Sequence, residues 1–134
     1  TSTFYVPEVE RGMNMSWGSI PRFVALVGPA RTKRIAALCE KVDAATALNW
    51  GLCDHVVPAG EAMNKAREIA EAAAALPPTA LKSVKQDVNV AALALARATG
   101  HRDLETFALL QQSDDFKEGV SAFLKVREPT CTGD

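Results

Sequence analysis

Phe4-Tyr5-Val6-Pro7-Glu8-Val9-Glu10-Arg11-Gly12 is the stretch on which the reading of this chain turns. Phe4, Tyr5 and Val6 are the aromatic and β-branched types that suit a pleated strand, and Pro7 ends the run because it has no N–H to give to a ladder. Glu8 follows directly, a carboxylate held just past a strand end. Apolar surroundings raise the pKa of such a group and make it a useful proton carrier near neutral pH, and Val6, Pro7, Val9 and Trp17 offer part of that wall. A lone loop glutamate is otherwise an ion-paired surface group. Glu10 stands two residues on; an extended chain would put it on the side of Glu8 and a helical turn would separate them, and it is taken as surface.

Composition narrows the classes around that segment. With 134 residues, 48% of them hydrophobic, and a formal net charge of -1, the chain suits one compact domain or a piece of one. It carries no basic stripe of the kind that binds a phosphate backbone, so nucleic acid is not an expected partner. Its apolar runs, such as residues 72–76 and 90–96, fall well short of the ~20 residues of a membrane-spanning helix. No leader or targeting tail is read, and a soluble, cytoplasmic protein is expected. Cys39, Cys53 and Cys131 lack the spacing of a disulfide framework or a zinc site, and His55 and His101 lie far apart, so no metal is expected.

Two extended runs are expected, at 3–6 and 53–57, each ending at a proline. The remainder reads as helix. A helix from Ser16 or Trp17 to Val27 should close at Gly28-Pro29, where the next one opens and runs to about Glu40 with Ile35 and Leu38 inward. Arg31, Lys33, Arg34 and Lys41 form its solvated basic edge. Asp43 should cap a short helix that Gly51 ends and in which Trp50 packs. Small residues at helical spacing, Ala62, Ala66, Ile69, Ala70, Ala73 and Leu76, permit close helix approach. After Pro77-Pro78, Leu81, Val84, Val88, Ala91 or Ala92 and Leu95 make a heptad-like stripe on a long helix. Asp115 with Glu118 reads as a capping box for a last helix whose apolar face is Phe116, Val120, Phe123 and Leu124.

The opening segment resembles the Phe-x-x-Pro-Glu-Val-x-x-Gly signature of the enoyl-CoA hydratase/isomerase (crotonase) family. Four further blocks follow in that family's order: residues 21–30, 42–58, 78–85, and Ser113-Asp114-Asp115-Phe116-Lys117-Glu118-Gly119-Val120-Ser121-Ala122-Phe123, which is similar to its Ser-x-Asp-x-x-Glu-Gly-x-x-Ala-Phe ending. The resemblance implies an α/β, crotonase-like ββα spiral fold of which this chain is the mostly helical C-terminal half with two short strands. Residues 1–60 would end the spiral core and carry the Pro-Glu segment; residues 61–134 would be a helical oligomerisation region, assembling trimers or a dimer of trimers. Two short strands cannot build a sheet core alone, so further strands are required.

It further implies an acyl-CoA enzyme, with enoyl-CoA hydratase, a lyase, the favoured reading and Glu8 the residue that exchanges a proton with the substrate. The alternatives are an enoyl-CoA isomerase and a non-catalytic helical assembly module. Coenzyme A is part of the acyl-CoA thioester substrate, and no separate cofactor is called for. The second catalytic glutamate and the oxyanion-hole donors would belong to the other half. Substrate contacts are expected from Met13, Met15 and Trp17, which replace the hydratases' Pro-x-x-Gly-Gly loop, and from Phe123, Lys125 and Arg127, similar to the Ala-Phe-x-Glu-Lys-Arg ending but with Val126 in place of its lysine. Cys39 stands where the family often has a helix-ending glycine.

Overall fold

In the computed structural model, which describes residues 2–134 apart from the side chains of residues 95 and 97–99, two short strands pair antiparallel. They are β1 (Thr3–Phe4) and β2 (Val42–Asp43), with Thr3 opposite Asp43 and Phe4 opposite Val42. The second strand therefore lies at residues 42–43. The run 53–57 carries strand-forming side chains but is not a strand, because no described segment lies alongside it to complete a ladder. It borders instead an apolar cavity of about 380 Å³ that Phe4, Ala44, Val56 and Ala62 help to line.

Helix α1 (Ser19–Ala36) bends where the sequence requires it, at Gly28, whose φ of 78° and ψ of 166° break the helix before Pro29 opens its second arm. It starts at Ser19, after the left-handed Gly18, so the residues from Ser16 to Gly18 form a loop. It ends at Ala36, earlier than expected; Leu38 lies outward, and Cys39 takes a left-handed φ of 51° that glycine would adopt without strain. Asp43 caps α2 (Ala44–Trp50) by accepting from the Thr46 N–H at 2.7 Å, and left-handed Gly51 closes it. Ile35 and Val42 are fully buried against Val27, Ala47 and Trp50, and each such aliphatic side chain stabilises by about 1.5–3 kcal/mol. The basic edge is partly engaged, since the Arg34 guanidinium lies 4.8 Å from the Trp50 ring centre and pairs with Glu40.

Helices α3 (Ala62–Ala74) and α4 (Pro78–Ala92) leave most of their apolar residues exposed, including Ile69, Val84 and Val88. The heptad-like stripe is interrupted at Leu93, which is non-helical, and the side chain of Leu95 lies outside the described residues. Helix α5 (Ala94–Leu110) then packs back on α1, and α6 (Asp114–Leu124) packs on the turn after Glu8. Ser113, rather than Asp115, caps α6, its hydroxyl accepting from the Phe116 N–H at 3.1 Å. Asp115 and Glu118 face the final residues instead, accepting from the backbone N–H groups of Thr132 and Thr130. Phe116 and Val120 are half-buried, Phe116 edge-on to Phe107, whereas Phe123 and Leu124 are exposed. The helix closes with paired bonds from Val126 N–H to Phe123 O and Arg127 N–H to Ala122 O, a Schellman ending that puts Val126 in the left-handed region. Among the described residues no helix is long and apolar enough to cross a membrane.

Candidate active site

Glu8 opens a single 3-10 turn (Val9–Arg11) that Gly12 closes in a left-handed conformation. The carbonyl of Glu8 accepts from the N–H groups of Arg11 at 2.9 Å and Met13 at 3.0 Å, which fixes where its side chain leaves the backbone. Helix α6 clamps this turn from outside. A methyl group at Gly119 would meet the Arg11 carbonyl carbon at 2.5 Å, and one at Gly12 would meet the Asp115 carbonyl oxygen at 2.7 Å, so both glycines allow backbone-to-backbone contact. The Arg11 guanidinium sits 4.1 Å from the centre of the Phe123 ring and donates to the Pro7 carbonyl at 3.2 Å.

Glu8 is half-buried, and its Oε2 is buried without a hydrogen-bond partner among the described residues, as are Asn14 Oδ1 and Ser19 Oγ. A buried polar atom left unpaired costs about 1–3 kcal/mol, so each calls for a reason to be there, and a catalytic role is one such reason. All three fall between Glu8 and Ser19. Within the same stretch Met15 is buried, Met13 half-buried and Trp17 62% exposed. Met15, Val9, Asn14, Ile20 and Asp103 line a cavity of about 200 Å³ between the loop, α1 and α5.

Glu10 is held apart from Glu8, its carboxylate accepting the Tyr5 hydroxyl, which pushes the Tyr5 pKa above its ordinary value. Where α6 meets the turn, Phe123 and Arg127 border a recess of about 300 Å³ together with Glu10 and Arg11. Arg127 is not free there. Its guanidinium grips the Glu118 carboxylate, with Nη2 at 2.8 Å from Oε2, while Lys125 is exposed at the end of the helix. Thus α6 brings Phe123 and Arg127 beside the Glu8 turn, whereas Met13, Met15 and Trp17 lie on the loop that follows it. Among the described residues no cluster of His, Cys, Asp or Glu could hold a metal ion.

The Arg127 guanidinium and the Thr130 N–H depress the Glu118 pKa from 4.5 to about 2. A carboxyl whose folded pKa is lowered contributes stability that is fully present above its unfolded pKa and is lost as pH falls through the folded one. We therefore expect the tie of Glu118 to Arg127 and Thr130 to loosen as pH falls from about 4.5 to about 2. Following the Glu118 carboxyl resonance through acid checks this, and Arg127→Ala should carry its midpoint back up toward 4.5.

The sequence did not single out Asn14, Ser19 or Asp103. Asn14, a polar residue between two methionines, could have been picked up locally. Asp103 could not, because the Gly18 N–H it accepts lies 85 residues away.

The enoyl-CoA hydratase/isomerase family profile matches residues 1–134. The chain belongs to the enoyl-CoA hydratase/isomerase family. Mevalonyl-coenzyme A hydratase of Aspergillus fumigatus is 30% identical over 130 residues, a match covering 96% of this chain and 48% of that protein. The 2,3-dehydroadipyl-CoA hydratase of Escherichia coli is 28% identical, with 97% and 51% covered. The crystal structure of an enoyl-CoA hydratase from Mycobacterium avium subsp. paratuberculosis superposes with a TM-score of 0.91 at 30% identity, covering 97% of this chain and 53% of that one. The chain spans about half the length of the curated relatives it matches. Its architecture is accordingly the mostly helical half of a crotonase-like ββα spiral, and the family's common theme is an acyl-CoA substrate.

Proposed function

We propose that this chain forms part of an enoyl-CoA hydratase acting on a 2-enoyl-CoA thioester, with Glu8 carrying the proton that enters at the α-carbon. The buried Oε2 of Glu8 carries the reading, since it is a carboxyl oxygen held out of water with no hydrogen-bond partner among the described residues. Hydration adds a water oxygen at the β-carbon and a proton at the α-carbon, passing through an enolate on the thioester oxygen. Glu8 in its acid form gives its proton to the α-carbon; a second base takes the proton of the attacking water, and N–H donors hold the enolate oxygen. Those latter groups come from outside this chain. Coenzyme A enters as part of the substrate, and the reaction needs no further cofactor.

Met13, Met15 and Trp17 supply apolar surface for the acyl group. Phe123, Lys125 and Arg127 serve the coenzyme end, Lys125 as a cation with no ion pair among the described residues and Arg127 on release from Glu118. Residues 1–60 thus carry the reacting segment, while the exposed apolar faces of residues 61–92 are surfaces for assembly into a homo-oligomer, a trimer or a dimer of trimers.

The test is product analysis with the full-length protein. Incubation with trans-2-enoyl-CoA should give a 3-hydroxyacyl-CoA, heavier by one water. Conversion of trans-3-enoyl-CoA to its 2-isomer without a water adduct would make the protein an isomerase, a reaction that a single glutamate at the Glu8 position can run. Stable oligomers that consume neither substrate would leave only a helical assembly module.

A further inference from the structure

The loop that follows the Glu8 turn is tied to α5 by one residue. Asp103 Oδ2 accepts the Gly18 N–H at 3.0 Å, and the Asp103 carbonyl accepts from Asn14 Nδ2 at 3.2 Å. Gly18 is the N-cap of α1 and has no side chain to cap with, and the first turn of that helix contains no acid. The Asp103 carboxylate therefore stands at the positive end of α1 as a cap donated by another helix. Its two bonds bracket Met15, Ser16 and Trp17, and Met15 and Asp103 share the cavity that Val9 also lines, one residue from Glu8. Asn14, anchored through its nitrogen, keeps its oxygen buried and unpaired on the same cavity.

We propose that Asp103 is a positioning residue for the acyl site: it fixes residues 14–18 against α5 and so sets the apolar wall beside Glu8, without itself touching the reacting atoms. This rests on the acyl-CoA reading of Glu8. The bond to Gly18 N–H needs an acceptor at the Oδ2 position, which asparagine retains in nearly the same place and alanine does not. Loss of the tether frees the loop that contacts the acyl chain, and it acts on substrate binding more than on the proton transfer at Glu8.

The experiment compares the full-length protein with its Asp103→Ala, Asp103→Asn and Asn14→Ala variants, all checked for native circular dichroism. Two readouts are taken: hydrogen exchange of the peptide spanning residues 13–20, and KM and kcat for trans-2-enoyl-CoA. Asp103→Ala should speed exchange at Gly18 at least tenfold and raise KM by about tenfold, with kcat changed by less than about threefold. Asp103→Asn should recover most of both, and Asn14→Ala should reproduce part of the loss should Asp103→Ala fail to fold. Unchanged exchange at Gly18 overturns the tether whatever the activity. Faster exchange with unchanged KM, or an equal fall in kcat and kcat/KM at constant KM, overturns the positioning role. A full-length wild-type protein that converts no enoyl-CoA overturns the reading of Glu8, and exchange at Gly18 still reports the tether separately.

Discussion

Glu8→Gln should lower kcat by about 10²–10⁴-fold, the range that one positioned proton carrier supplies. Glutamine keeps the shape of the side chain but has no acidic proton to give. The same change should leave the fold and acyl-CoA affinity intact. Glu8 Oε2 has no partner among the described residues, and the turn is held by the Glu8 carbonyl through the N–H groups of Arg11 and Met13, which the substitution does not touch. The substitution breaks no hydrogen bond of the side chain among the described residues, so the melting temperature should hold. Steady-state kinetics with trans-2-enoyl-CoA, a direct binding measurement and thermal unfolding separate these outcomes. Undiminished turnover removes Glu8 from the chemistry. A large loss of stability would mean that the carboxylate braces the turn and that its buried oxygen is not in reserve for substrate.

The parts of this fold that local chemistry controls could be read from the chain. Gly28-Pro29 broke a helix, Asp43 capped one and Gly51 ended it, and in each case the deciding atoms lie within a few residues of one another. The errors arose where a distant partner decides. Residues 53–57 have strand-forming side chains yet pair with nothing among the described residues, because a strand exists only with its neighbour. Asp115 and Glu118 matched a capping pattern, but the backbone N–H groups of Thr130 and Thr132 claimed both carboxylates and left the cap to Ser113. Leu38 and Phe123 had the period of buried residues and lie exposed, since periodicity names a face without saying whether anything covers it.

The site divides along the same line. The setting of Glu8, a proline and a glycine-closed turn, could be read because it is contiguous, although the strand before it ends at Phe4 and not at Val6. Asp103 was not, and neither was the clamp of α6 on the Glu8 turn, because the contact of Gly119 with Arg11 crosses most of the chain. A glycine in a helix reads locally as a weak point. Only the tertiary contact turns it into a requirement.

That reversal gives Gly119→Ala an unusual sign. In an exposed helix interior, glycine to alanine stabilises by about 1 kcal/mol, as alanine restricts the unfolded chain and favours the helix. Gly100, helical in α5 with room for an added methyl among the described residues, is the internal control, and Gly100→Ala should show that modest gain. At Gly119 the added methyl would lie 2.5 Å from the Arg11 carbonyl carbon, 2.7 Å from its oxygen and 2.8 Å from its Cα. These are backbone atoms on both sides, so no rotamer change relieves the overlap, and α6 has to withdraw from the turn. Overpacking of this kind costs about 1–3 kcal/mol, and the absence of any flexible neighbour puts Gly119→Ala near about 3 kcal/mol of lost stability. Withdrawal of α6 also loosens the 3-10 turn that orients Glu8 and the Arg11–Phe123 stacking beside it, so kcat should fall together with the unfolding midpoint. Denaturant unfolding of the two alanine variants alongside wild type reads the difference directly. A Gly119→Ala protein as stable as Gly100→Ala would mean that α6 does not press on the Glu8 turn, and the geometric basis for its control of the site would be gone.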